Sequence, residues 1–121
     1  MSAAAWVAVG LIGGIAAGAR FLLDAEVTAR RPGSFPHGIL AVNLLGALAL
    51  GIVAGSGLAG DRYVIVAGGA IGSFTTFSTW ILDADRLGRA GRADLAWLNI
   101  GLSLLAGFAA VALGHWLGSG F

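Results

Sequence analysis

The stretch Gly72-Ser73-Phe74-Thr75-Thr76-Phe77-Ser78-Thr79-Trp80 sets hydroxyl side chains, three aromatic rings and a glycine side by side. Hydroxyls donate and accept hydrogen bonds without carrying charge, and aromatic rings have a positive edge. Such a set can replace water around an ion but offers no acid–base chemistry. Asn43 stands alone in Ala41-Val42-Asn43-Leu44-Leu45-Gly46, and in an apolar helix its amide must find partners. It can serve as glue between helices, worth about 0.6 and up to about 1.7 kcal/mol, or line a polar path. Asn99 and Ser103 share a helical face, which Gly107 extends. Serines are present as nucleophiles, but the one titratable group near them is His115, beside Trp116 at the end of an apolar run, and it reads as an interfacial residue. No enzyme is expected.

These residues sit in a chain built for lipid. Of its 121 residues, 58% are hydrophobic and 11% charged, against about 25% charged in soluble domains. A soluble fold this short lacks the polar side chains to cover itself. Net charge +1 gives no footprint for nucleic acid, and the lack of cysteine removes disulfides and thiolate metal sites. The charges leave apolar runs over about 3–23, 37–58, 63–82 and 95–118. Each reaches or nearly reaches the roughly 20 residues that cross a bilayer core as a helix. Nothing before Arg20 is charged, so the first run lacks the basic head of a cleaved signal and reads as retained. The expectation is a single all-α membrane domain of four transmembrane helices joined by short loops. So small a unit encloses little alone, and an oligomer is expected.

Glycine numbers 21 of 121, without the period of collagen. Small residues recur at four-residue spacing: Gly10, Gly14 and Gly18; Ala47, Gly51 and Gly55; Gly68 and Gly72; Ser103 and Gly107. This spacing marks close helix packing in membranes, although glycine and alanine are common enough here to produce some ladders by chance. All seven basic residues are arginine, and they divide six to one: Arg20, Arg30, Arg31, Arg86, Arg89 and Arg92 on one face, Arg62 on the other. By the positive-inside rule the Arg-rich loops are cytoplasmic and both termini outside, in the cell inner (plasma) membrane.

No Asp, Glu or Lys lies within an apolar run. Coupled exporters use an intramembrane carboxylate to bind and release a proton. A small four-helix coupled exporter is therefore the weaker reading beside a passive pore. In the third run, Ser, Thr and Gly lower helix propensity. From the local pattern two readings stay open: an ordinary helix whose hydroxyls bond back to preceding carbonyls, or a break that exposes carbonyl and N–H groups to an ion.

Three segments resemble the Fluc/CrcB fluoride channels, and the resemblance covers essentially the whole chain. Thr75-Thr76-Phe77-Ser78-Thr79 after Gly72 looks like the family's central signature; Gly13-Gly14 through Gly18-Ala19-Arg20-Phe21 looks like its glycine-rich first helix; Val42-Asn43-Leu44-Leu45-Gly46 looks like its Asn motif. The resemblance implies an antiparallel dimer of four-helix subunits with two fluoride pores. It implies a broken third helix and a structural sodium ion at the dimer centre, held by the backbone carbonyls of Gly72 and Thr75. It places Asn43, Phe77, Trp80, Thr79 and Ser103 along the pore. The function implied is passive, selective export of fluoride, which enters as the neutral acid, dissociates in the cytoplasm and is driven out by about 2.3 kcal/mol per 100 mV of membrane potential.

The chain departs from the family pattern at three places. Trp80 stands where a second pore Phe is usual, Gly107 where a second Ser is common, and Ile39 where a Thr is common. Family members with dual topology should show little arginine bias, whereas this chain is lopsided. The expectation is a subunit of fixed orientation that pairs with an oppositely oriented homologous chain. A homodimer, and a non-conducting role within a paired channel, are the alternatives.

Overall fold

The structure is a computed structural model and describes residues 1–120. All regular structure among the described residues is helical, and four segments are long and apolar enough to cross a membrane. The first helix, Ala3–Arg30, opens with the Ser2 side chain accepting the Ala5 N–H. It runs well past the apolar stretch ending at Leu23, because the polar turns that follow support themselves. Thr28 donates to Asp24 and Arg30 to Glu26, each four residues back. The second helix, His37–Gly55, starts directly after Pro36 and stops before Gly57, whose φ of +78° turns the chain. The third span, Gly60–Arg89, is interrupted. The fourth helix is Ala93–Ser119.

The second and fourth helices approach until backbone meets backbone. A Cβ on Gly51 would strike the Val111 carbonyl, one on Gly55 the His115 carbonyl, and ones on Gly114 and Gly118 the carbonyls of Leu48 and Ile52. Glycine is required there by space, and contact this close replaces the hydrophobic driving force that lipid removes. The first helix lies against the third span at Gly13, beside Ser73, and at Gly69, which meets the Val9 backbone. Two expected small-residue faces do not pack within the chain: nothing approaches Gly10, Gly14 and Gly18, or Gly107. Gly13, one position from Gly14, makes the contact of the first helix, and Gly114, two turns beyond Gly107, that of the fourth.

Few large side chains are buried: Ile39, Val42, Trp80 and Leu87 form the core with small residues. Leu11, Ile15, Phe21, Trp97, Leu105, Phe108 and Trp116 all point outward. In water this surface would drive aggregation; in a bilayer it is the lipid-facing surface.

Candidate ion pathway

The third span is helical only in pieces. After the short turn Gly60–Tyr63, Val64–Ile71 winds as a π-helix, and the Gly72 N–H reaches back five residues to the Ala67 carbonyl. Wider turns of this kind concentrate at functional sites. One further turn, Gly72–Phe74, ends at Thr75, which is extended with φ −83° and ψ 163°. The Thr75 N–H and hydroxyl both close onto the Ile71 carbonyl, at 3.0 and 3.1 Å. Helix resumes at Ser78 and runs to Arg89. Of the two readings left open by the pattern, the span is broken.

Asn43 of the second helix holds the break in place. Its Nδ2 donates to the Thr76 carbonyl and its Oδ1 accepts the Thr76 N–H, both at 2.9 Å. The Thr76 hydroxyl in turn accepts the Thr79 N–H at 3.2 Å, covering one of the open donors of the resumed helix. These bonds divert two N–H groups from the helical ladder. In an unbroken helix the Thr76 N–H would serve the Gly72 carbonyl and the Thr79 N–H the Thr75 carbonyl. Both carbonyls therefore lose their usual donors.

Beside the break lies a groove of about 320 Å³. Asn43, Phe77, Trp80 and Ser103 line it, with Thr75, Thr76 and Gly107, among leucines of the second helix. Four of the five expected pore residues thus share one cleft. Thr79 does not line it; its N–H is tied to Thr76, and the turn that opens the resumed helix sets it aside. Gly72 lies outside the lining as well, whereas Thr75 is part of it. On the other side of the break a second, wholly apolar groove is walled by Leu45, Gly46, Ala49, Ala70, Ile71 and Phe74.

Two assignments change in detail. Asn43 keeps one amide hydrogen for anything in the groove, because its oxygen and other hydrogen are engaged with Thr76. The Trp80 indole N–H is not a free donor, since it points to the Asn99 carbonyl at 3.4 Å. Phe77 and Trp80 meet edge to face, with ring centres 5.5 Å apart. They differ sharply in exposure: Phe77 is 72% exposed and Trp80 9%.

Sequence reasoning missed the part played by Asn99. Only 1% exposed, it turns its amide nitrogen to the Trp80 carbonyl while its oxygen accepts the Ser103 hydroxyl one turn on. An isolated amide in an apolar run signals a buried partner, but nothing in the spacing says which one.

A family model described as CrcB-like protein, Camphor Resistance (CrcB), matches residues 7–115. The chain belongs to the CrcB family. Among its relatives, a protein named fluoride-specific ion channel FluC 2 from Mycobacterium tuberculosis is 43% identical over 117 residues, 97% of this chain and 93% of that protein. Symbiobacterium thermophilum has two similar proteins. Its fluoride-specific ion channel FluC 2 is 48% identical over 108 residues, 85% of this chain and 88% of its own. Its FluC 1 is 40% identical over 121 residues, 95% and 98% of the two chains. With four apolar helices in this CrcB chain, the protein is a multi-pass membrane protein.

Proposed function

We propose that the chain is a subunit of a fluoride-selective passive channel that lets fluoride leave the cytoplasm. The observation that carries this reading is the Asn43-held break beside a groove without a charged lining residue. A small, strongly hydrated anion needs donors in place of its water, and a full cation would hold it too firmly to release. The Asn43 amide hydrogen, the Thr76 hydroxyl hydrogen, the weakly held Ser103 hydroxyl and the edge of Phe77 are the groups available. The membrane potential supplies the driving force, so no coupling carboxylate is needed. No catalytic step is assigned.

The carbonyls of Gly72 and Thr75, deprived of their ladder donors, fit a small hard cation that takes oxygen ligands. Among the described residues no cluster of His, Cys, Asp or Glu competes for that role. Sodium bound there would supply positive charge between two subunits; Asn43 and Thr76 keep the carbonyls open for it. Two antiparallel copies would present four such oxygens.

The partner is an oppositely oriented homologue rather than a second copy. The six-to-one arginine division fixes one orientation, with the Arg-rich loops cytoplasmic, since Arg and Lys count in that rule and acids contribute little. Gly107 and the engaged Trp80 indole thin the donors of this subunit's groove, which a pair tolerates if the other subunit carries a fuller lining. Fluoride release from liposomes, followed by electrode for the chain alone and with an oppositely oriented homologue co-expressed, tests the reading. Release in either preparation supports the channel, and none in both contradicts it.

A further inference from the structure

The groove's buried wall is held by bonds that the ion path itself does not use. The Trp80 indole N–H donates to the Asn99 main-chain carbonyl at 3.4 Å, and the Asn99 Nδ2 donates back to the Trp80 carbonyl at 3.3 Å. The Ser103 hydroxyl donates to the Asn99 Oδ1 at 3.5 Å. Each bond is long and individually weak. Their reciprocity matters more, because each side chain binds the other residue's main chain across two helices, and losing either bond leaves a donor unpaired in an apolar surround. Trp80 and Ser103 line the groove and Asn99 does not. One residue outside the cleft therefore sets two residues inside it.

We infer that the Asn99 side chain is a positioning element of the ion path, tying the Trp80 main chain to the fourth helix and holding the Ser103 hydroxyl hydrogen away from the passing anion. This rests on the channel reading above. It bears on the question raised by Trp80: a bulky donor at a pore position is compatible with passage because its ring is buried and its N–H is engaged by the Asn99 main-chain carbonyl. Asn99 also competes with the anion for Ser103. An ion reaching this level either draws the hydroxyl from a weak 3.5 Å bond or passes with one donor fewer.

The account predicts that the Asn99 side chain acts through the main chain of residue 80. Asn99→Leu removes both side-chain bonds with little change in volume, and Asn99→Ser serves as a second variant should Leu fail to assemble. Trp80 is read alone after the outward-facing Trp6, Trp97 and Trp116 are changed to Phe. In that protein, loss of Asn99 is expected to raise acrylamide quenching of Trp80 severalfold. In liposomes, with the homologue present if the chain needs it, Asn99→Leu should lower fluoride flux about tenfold whether residue 80 is Trp or Phe, because the lost bond runs to the main chain of residue 80. Unchanged quenching, no loss of flux, or a loss confined to the Trp80 background would overturn the inference. If the parent protein passes no fluoride in any preparation, the channel reading fails, while the quenching result still judges the clamp.

Discussion

Asn43 and Thr76, far apart in sequence, exchange two hydrogen bonds of 2.9 Å, and this pair turns a sequence weak in helix propensity into a defined break. One amide side chain takes the place of two helical partners at a single peptide. The consequence lies at Gly72 and Thr75, whose carbonyls are left open, and in the groove alongside.

Asn43→Ala should therefore do more than remove a donor from the groove. It strands the N–H and the carbonyl of Thr76, at a cost of roughly 1–3 kcal/mol for each group left unpaired. The expected result is loss of fluoride flux together with a clear drop in melting temperature in detergent. Flux and stability both unchanged would show that the pair holds nothing.

Phe77 is the open member of the aromatic pair, at 72% exposure. Phe77→Ile keeps bulk and removes the positive ring edge. Flux should fall by at least about tenfold with only a small drop in melting temperature, since the contact given up is the edge-to-face pair with Trp80, worth about 0.5–1.5 kcal/mol. Normal flux would remove Phe77 from the path.

Glycine contacts separate fold from assembly. Gly114→Val pushes a side chain into the Leu48 carbonyl and should destabilise the subunit by about 1–3 kcal/mol or block its folding. Gly10→Ala meets nothing within the chain and should leave subunit folding intact. Thermal melts of the two variants in detergent compare them directly; similar losses in both would mean that the helices do not pack as described.

Sodium at the Gly72 and Thr75 carbonyls predicts ion-specific stability. Exchange of sodium for a bulky organic cation should lower the melting temperature of the assembled protein, and re-addition should restore it by mass action. Equal melting in both salts would exclude a sodium ion that supports the assembly.

Fixed orientation predicts that a reporter fused to the C-terminus is active on the outer side alone. The near balance of charge on the Arg-rich face does not weaken this. Arg30, Arg86, Arg89 and Arg92 pair with Glu26, Asp83, Asp85 and Asp94, but acids count little toward orientation. Equal signal on both sides would return the homodimer of dual topology.

Four membrane helices were legible because charge is confined to the loops and helix ends, and the Thr-Ser cluster marked where the third span weakens. The π-helical turn from Val64 to Ile71 was not legible, because its apolar residues read as any buried helix and no residue type in it marks the wider winding. Glycine spacing showed that helices pack closely without saying which face turns inward. Gly10, Gly14 and Gly18 form the cleanest ladder and touch nothing, while Gly51 and Gly114 sit against neighbouring backbone. Asn99 was visible as an odd amide, but its partner Trp80 lies on another helix, and only folding brings the two together.

The central claim is that fluoride crosses passively through an uncharged path. Liposomes loaded with potassium fluoride and carrying the protein, with its homologue where needed, test it by fluoride electrode when a potassium ionophore is added. The account predicts rapid fluoride release that starts with the ionophore, needs no pH gradient and has no counterpart with chloride. Release that requires a proton gradient, or its absence in every subunit combination, would contradict it.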